Sequence, residues 1–374
     1  MQQRTNKRLV NTKRGSVYIL SFLASLLIVV ASCSKKDVVT DQYSQIMPKG
    51  PKPSWGPTIT PQMQAVIETL DTIAPVPFYT LTPQQARLQP SPADAAMRVM
   101  KNYNIAAPAM NVDTAGRDIP VTGGQIHLRI YTPKTGKTSY PVVVYYHGGG
   151  WVIATIDTYN ASAQALAEQT DAIVVSVEYR KGPEFKFPTA HNDSYAAYIW
   201  AIKNASTFKG DSTHMAVAGE SAGGNLAVTV GMMARDSAAR KPLHIVSVYP
   251  VASNDPNTPS KLLYTNAKPL STTALPWFLM YYLNNPATES ASPLISLVNA
   301  NLSGLPPTTI IGAEIDPLQS EGKTLADKLT AAGISTTYKL YTGVTHEFFG
   351  MAQVVPEARD AQALAAAQLK NALK

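Results

Sequence analysis

The stretch Gly219-Glu220-Ser221-Ala222-Gly223 stands between an apolar run, residues 214–218, and a helix-like pattern over residues 225–234. A G-x-S-x-G set between a strand and a helix places its serine on a sharp turn with the hydroxyl projecting from the backbone. The glycines have no Cβ atoms to clash in such a turn, and the helix that follows directs its first N–H groups at charge near the serine. We therefore take Ser221 as the candidate nucleophile; an ordinary glycine-rich turn is the structural alternative.

A nucleophilic serine needs a base, and the base needs an orienting acid. With this motif the chain order is serine, then acid, then histidine. Four of the six histidines precede Ser221, and His244 opens an apolar run that predicts a strand. The remaining one, His346, lies in a predicted loop after a strand-like stretch, residues 336–341. His346 is therefore the predicted base, with a packed loop histidine as the alternative.

The predicted acid follows the buried strand of residues 308–313. Asp316 lies where that strand gives way to a loop, at the carboxyl edge where sheet active sites are found. Glu314 is the second choice, and Glu321, in the following turn or helix, is a weaker one. A purely structural role for Asp316 as a helix N-cap also remains open.

The oxyanion stabiliser is predicted upstream of the serine. The strand-like residues 141–146 run directly into His147-Gly148-Gly149-Gly150-Trp151. A glycine run can turn successive backbone N–H groups inward because no side chain blocks them. Together with the N–H of Ala222, such donors can hold a tetrahedral oxyanion, and losing one donor typically costs about 3 kcal/mol of transition-state stabilisation.

These motifs, in this order, resemble the hormone-sensitive-lipase-like, HGGG-type carboxylesterases of the α/β-hydrolase fold, from about residue 80 to the C-terminus. The resemblance rests on residues 147–150, 179–180 with 183–184 and 187–188, 219–224, 303–307, 316–318, and 346 with 348. It implies a Ser221, Asp316 and His346 triad that needs no cofactor. It also implies an oxyanion hole drawn from Ala222 and the glycines Gly148, Gly149 and Gly150, with His147 shaping the loop.

The chain departs from the family pattern beside two of these residues. Glu220 stands where the family usually has aspartate, and Glu347 stands where glycine is frequent. Lys181-Gly182 and Ser320 also differ from the common residues. Because Glu347 follows the predicted base, we expect it to alter either the pKa of His346 or the acyl pocket.

Short apolar strands alternate with helical patterns along the rest of the chain, which predicts a mainly parallel sheet covered on both faces. The predicted strands are residues 124–131, 141–146, 172–178, 215–218, 243–249, 308–313 and 336–341. The predicted helices are residues 158–168, 192–203, 225–236, 322–332 and 356–373. These elements predict one catalytic domain over residues 113–374.

Two segments interrupt this alternation, residues 61–112 and an insertion at about 253–292. By the resemblance they form a helical cap over the active site. Aromatic residues there and near the motifs would then line the acyl pocket, although a core stripe is the usual interpretation: Trp151, Trp277, Phe278, Tyr281 and Phe348.

The first 33 residues have the pattern of a secretory signal peptide. Residues 1–32 contain five cations and no acids, and the apolar stretch of residues 17–30 is too short for a comfortable bilayer span of ~20 residues. Residues 30–33 look like a bacterial lipobox ending at Cys33, the single cysteine, which excludes an intramolecular disulfide. We therefore expect lipidation of Cys33, a proline-rich tether over residues 33–60, and a cell-envelope location; an uncleaved signal anchor is the alternative.

The charge balance argues against a nucleic-acid partner. The formal net charge is +7, but five cations lie in the leader, so the remainder carries about +2 and has no basic motif. No metal-ligand cluster is evident. The prediction is a serine carboxylesterase acting on short- to medium-chain acyl esters. The alternatives are a deacetylase of acetylated polysaccharide or xenobiotic esters, and a non-catalytic small-molecule-binding lipoprotein.

Overall fold

An eight-stranded sheet forms the centre of the computed structural model, which describes residues 42–374. The strand order is β1-β2-β4-β3-β5-β6-β7-β8. The pairs β1–β2 and β2–β4 are antiparallel, and all the other pairs are parallel. The strands are β1 Val112–Val121, β2 Gly124–Pro133, β3 Tyr140–Tyr146, β4 Ile173–Glu178, β5 Gly210–Glu220, β6 Ile245–Val248, β7 Thr308–Ile315 and β8 Thr336–Thr345.

The inner strands are apolar on both faces because helices cover both faces of the sheet. In β3, Val142 and Val144 belong to one hydrophobic core, whereas Val143 and Tyr145 belong to a second core on the opposite face. This alternation is the period of two that a strand imposes on its side chains. The predicted mostly parallel sheet flanked by helices is thus confirmed.

The longer helices of the catalytic domain lie close to their predicted positions. Their bounds are Asn160–Thr170, Thr189–Asn204, Ala222–Asp236, Gln319–Ala331 and Pro356–Ala372. Strand β1 was not predicted, because most of its residues are exposed at the sheet edge and the sequence there lacks an apolar pattern.

Both predicted cap segments are largely helical. The first contains Pro61–Ile73, Phe78–Thr80, Pro83–Ala86 and Pro92–Asn102, and the insertion contains Pro259–Leu263, Thr272–Ala274, Leu275–Tyr282 and Pro286–Glu289. Each longer helix of the first segment begins with proline in its first turn, where the missing N–H costs nothing. Pro92–Asn102 is further fixed by a capping box between Ser91 and Asp94.

The predicted tether is wrong for residues 42–60, which pack on the body of the protein. The side chains of Ile46 and Ile59 are fully buried. The Tyr43 hydroxyl donates to the carbonyl of Ala352 at 2.7 Å, and the Thr60 N–H donates to that of Gly343 at 2.9 Å. The prolines suggested an extended chain, but isolated apolar residues of the same segment are buried against the body of the protein.

The predicted signal peptide and Cys33 lie outside the described residues. Within residues 42–374, no helix is both long and apolar enough to cross a bilayer.

Candidate active site

Ser221 occupies the turn between β5 and the helix Ala222–Asp236 in a backbone conformation that non-glycine residues rarely adopt, with φ 56° and ψ −118°. The turn is closed so tightly that its glycines have no room for a side chain. A Cβ on Gly219 would lie 2.1 Å from the carbonyl oxygen of Gly223, and one on Gly223 would lie 1.9 Å from that of Tyr146. The strained turn holds the Ser221 hydroxyl at the carboxyl end of the sheet.

The structure brings the three predicted catalytic side chains into one hydrogen-bonded chain. Nε2 of His346 lies 2.9 Å from Oγ of Ser221, and Nδ1 lies 2.7 Å from Oδ2 of Asp316. The other oxygen of Asp316 accepts the N–H of Leu318 at 2.8 Å, which fixes the carboxylate. All three side chains are almost completely buried.

The electrostatics suit a histidine base. Burial lowers the pKa of His346, but the charge and hydrogen bond of Asp316, together with the charges of Glu347 and Glu220, outweigh burial, and the pKa lies above the ordinary 6.5. An imidazole of raised basicity takes a serine proton more readily.

The two alternative acids, Glu314 and Glu321, bond to groups other than the predicted base. Glu314 accepts the N–H of Gly343 at 2.6 Å. Glu321 pairs with Lys261 at 2.6 Å and accepts the N–H of Ala252. Neither carboxylate contacts His346.

The glycine loop after β3 carries the predicted oxyanion donors. Gly149 and Gly150 have φ values of 95° and 57°, which glycine adopts without strain. The N–H groups of Gly149, Gly150 and Ala222 donate to no acceptor within residues 42–374. Gly149, Gly150 and Ser221 border the same cavity, so unpaired donors lie near the nucleophile.

Gly148 does not border the cavity, and its inclusion among the donors stays a prediction. Its carbonyl accepts from the Tyr179 hydroxyl at 3.1 Å and lies 2.7 Å from Nδ1 of His147. Burial lowers the pKa of His147 to about 4, and its ring stacks on Tyr179 at 4.3 Å. His147 therefore supports the loop and makes no contact with Ser221.

A buried carboxyl with two tyrosines lies behind the catalytic histidine, a feature that the sequence did not reveal. Tyr145 and Tyr249 both donate their hydroxyls to Glu220. Burial raises the pKa of Glu220 to about 7. The ring of Tyr249 also lies 4.5 Å from that of His346, so this cluster packs directly against the base.

Glu347 directly follows the base in the chain. It adopts a left-handed conformation with φ 70°, and its two carboxylate oxygens lie 2.7 and 2.8 Å from the Tyr159 hydroxyl. Burial raises the pKa of the Glu347 carboxyl above its ordinary range. The expected influence on both base and pocket fits this position, because Glu347 contributes to the pKa of His346 and borders the cavity.

A cavity of about 490 Å³ opens onto Ser221 and His346. Residues from both cap segments border it, including Leu70, Phe78, Leu270 and Leu279. Its size suits a small ligand. Within residues 42–374, no group of histidine, cysteine and carboxylate side chains could hold a metal ion.

Two of the five predicted pocket aromatics, Trp151 and Phe278, border this cavity. The other three do not. Trp277 turns toward the first cap segment and donates its indole N–H to the carbonyl of Leu81 at 3.0 Å. Tyr281 packs against Trp277 with ring centroids 5.0 Å apart.

Phe348 is the third residue outside the wall. It is fully buried between Tyr249 and Tyr341, in the core beneath the base. The sequence could not distinguish residues of the cavity wall from residues of the hydrophobic core, because adjacent residues of a short helix or loop point in different directions.

Comparison with known proteins places this geometry among ester hydrolases. Residues 143–350 match the family model for the alpha/beta hydrolase fold. The carboxylesterase NlhH of Mycobacterium tuberculosis is 35% identical over 327 residues, covering 85% of this chain and 98% of that protein. The carboxylic ester hydrolase LipN of the same organism is 36% identical, covering 66% of this chain and 67% of that protein.

Solved structures show the same likeness. A thermostable esterase from Pseudomonas putida superimposes with a TM-score of 0.76 at 29% identity, covering 85% of this chain and 98% of that one. An esterase from the archaeon Pyrobaculum calidifontis gives a TM-score of 0.75 at 33% identity, with coverages of 84% and 98%.

Proposed function

Because this chain belongs to the α/β-hydrolase family, among the hormone-sensitive-lipase-like carboxylesterases, and is a carboxylic ester hydrolase, we propose that it acts through an acyl-enzyme on Ser221. The single observation that carries this mechanism is the hydrogen-bonded chain from Ser221 through His346 to Asp316.

In the first step, His346 takes the proton of Ser221 as its Oγ attacks the ester carbonyl. Asp316 holds the imidazole in the correct tautomer and stabilises the imidazolium. The oxyanion that forms is held by the free N–H groups of Gly149, Gly150 and Ala222. When the intermediate collapses, His346 gives its proton to the leaving alkoxide and the alcohol departs.

In the second step, His346 takes a proton from water, which attacks the acyl carbon of the acyl-enzyme. Collapse of the second tetrahedral intermediate returns the proton to Ser221 and releases the acid. The cavity volume supports short- to medium-chain acyl groups as substrates.

The test compares the full-length protein with Ser221→Ala on p-nitrophenyl esters of increasing acyl length. We expect the variant to lose at least about 10⁴-fold in kcat, and a fluorophosphonate probe to label the wild type alone. Hydrolysis that survives in Ser221→Ala would refute the mechanism. A folded wild type that hydrolyses no ester would favour the ligand-binding alternative.

We also propose that Cys33 anchors the enzyme to a membrane of the cell envelope. The support is the sequence pattern of residues 1–33. Radiolabelled palmitate should label the wild type and not Cys33→Ala, and the variant should move from the membrane fraction to the soluble fraction. Equal labelling of both proteins would refute the anchor.

A further inference from the structure

Glu347 is an acid on the wall of the reactive cavity that forms no ion pair with a Lys or Arg of residues 42–374. It is partly exposed, whereas its neighbours His346 and Phe348 are 2% and 0% exposed. Because Glu347 borders the cavity, we attribute its exposed surface to the cavity interior. A substrate bound at Ser221 would therefore meet this carboxylate.

Among residues 42–374, each Lys or Arg that borders the cavity already has an acidic partner. Arg87 pairs with Glu184 at 2.8 Å, Lys261 with Glu321 at 2.6 Å, and Lys268 with Asp71 at 2.7 Å. Glu347 has no Lys or Arg partner among residues 42–374. The titratable groups that interact with it are His346, Asp316, Glu220 and the tyrosines 145, 159, 179 and 249.

The Glu347 carboxylate also has fewer hydrogen-bond donors than it can accept, because Tyr159 supplies a single hydroxyl. Both oxygens lie within hydrogen-bond distance of the Tyr159 hydroxyl, which has a single proton to give. An ionised carboxylate offers about four acceptor positions. The Glu347 carboxylate therefore lacks both a Lys or Arg partner and further hydrogen-bond donors among residues 42–374.

Aromatic rings border the cavity that Glu347 also borders, and the hydroxyl of one of them, Tyr159, contacts its carboxylate. The Tyr159 hydroxyl would lie 2.2 Å from a Cβ on Gly148, and the Phe278 ring would lie 2.2 Å from a Cβ on Gly150. These two glycines are two residues apart, so their Cα atoms are separated by no more than about 7.6 Å. Both rings, together with Trp151, border the cavity. A carboxylate with aromatic neighbours is the chemistry that recognises an ammonium group.

We propose that Glu347 is a specificity-determining residue that favours esters whose alcohol portion carries an ammonium group. The alcohol side is assigned because His346 must protonate the leaving alkoxide, which places the alcohol beside the base and hence beside Glu347. The proposal rests on the esterase function proposed above.

The test uses two esters of the same shape, acetylcholine and 3,3-dimethylbutyl acetate, which differ in a quaternary nitrogen against a quaternary carbon. Values of kcat/KM are measured at pH 8 for the wild type, Glu347→Gln and Asp327→Asn. We expect the cationic-to-neutral ratio to fall about tenfold in Glu347→Gln, since one charge interaction is removed from a partly buried site. Asp327→Asn removes an exposed carboxylate that is already paired with Lys323 and does not border the cavity, and its ratio should match the wild type.

An equal loss on both esters in Glu347→Gln would assign Glu347 a structural role and overturn the proposal, as would a wild type with no preference for the cation. If Glu347→Gln does not fold, Glu347→Gly is the second variant, because glycine accepts φ 70° without strain. Titration of Ser221 with a fluorophosphonate separates the two proposals. A labelled enzyme that hydrolyses the neutral ester without cation preference refutes only the specificity, whereas an enzyme that hydrolyses neither ester and is not labelled refutes the esterase mechanism.

Discussion

The ring of Tyr249 lies 4.5 Å from the ring of His346, while its hydroxyl donates to the buried carboxyl of Glu220. The residue before the nucleophile is thereby linked through one tyrosine to the base. The Glu220 carboxyl accepts one hydroxyl on each oxygen, that of Tyr145 on Oε1 and that of Tyr249 on Oε2.

This link predicts a shift in the pH profile of Glu220→Gln. His346 must be neutral to act as a base, so activity is lost as pH falls through its pKa. The charge of Glu220 helps to raise that pKa, and removing it should move the acid limb of kcat/KM to lower pH. The measurement is a profile of kcat/KM from pH 5 to 9 for both proteins. An unchanged acid limb would show that Glu220 has no electrostatic influence on the base.

Glu220 should also make stability depend on pH. Its pKa is raised from 4.5 to about 7 in the folded protein, so its contribution is fully present below pH 4.5 and is lost as pH rises through about 7. The shift corresponds to about 3 kcal/mol. We expect the free energy of unfolding to fall less between pH 5 and pH 8 in Glu220→Gln than in the wild type, as measured by urea denaturation. The same fall in both proteins would contradict this.

Asp316→Asn should lower kcat by about 10⁴-fold, because the amide favours the wrong tautomer of His346. Glu314→Gln is the matched control. Its carboxylate lies two residues away on the same chain segment but bonds to Gly343 rather than to the base. Esterase assays of the two variants, with circular dichroism to check folding, decide the assignment. A larger loss of kcat in Glu314→Gln than in Asp316→Asn would instead assign Glu314 as the catalytic acid.

Gly223→Ala should abolish soluble, active protein, since its Cβ would meet the carbonyl oxygen of Tyr146 at 1.9 Å. Gly322→Ala offers the contrast. Its Cβ would lie 3.7 Å from the nearest atom, Cδ of Pro250, in the helix Gln319–Ala331. There alanine should be neutral or stabilising by up to about 1 kcal/mol. Melting temperatures and soluble yield test both, and an active Gly223→Ala would show that the turn can relax.

Breaking the pair of Arg180 with Asp193 should destabilise the protein by about 3–5 kcal/mol. Asp193 is 1% exposed and accepts two hydrogen bonds from the guanidinium, at 2.8 and 2.7 Å. The exposed pair of Lys323 with Asp327 is the comparison, and its loss should cost less than about 1 kcal/mol. Urea denaturation of Asp193→Asn and Asp327→Asn gives the two values. Equal losses of unfolding free energy in the two variants would show that burial of the Arg180–Asp193 pair does not matter for its contribution.

The sequence predicted the members of the hydrogen-bonded chain because the motif and the chain order constrain them. Ser221 stands in a motif whose glycines the turn requires, Asp316 follows a strand of continuous apolar residues, and His346 is the one histidine after Asp316. The pocket wall was harder to predict, because Trp277 and Phe278 are adjacent and only their packing partners decide which one borders the cavity. The pairing of Glu347 with Tyr159 spans 188 positions, and no local pattern indicates such a contact.

Because residues 42–60 pack on the body of the protein, the folded part of the enzyme extends upstream of residue 61. Gly56 lies against the side chain of Ile315, directly before Asp316, and the Thr60 backbone pairs with Gly343, three residues before His346. These residues, which the sequence suggested to be a spacer, brace the ends of the two strands that carry the acid and the base. A chain shortened to begin at Pro61 would keep every catalytic side chain and still lose the support beneath two of them.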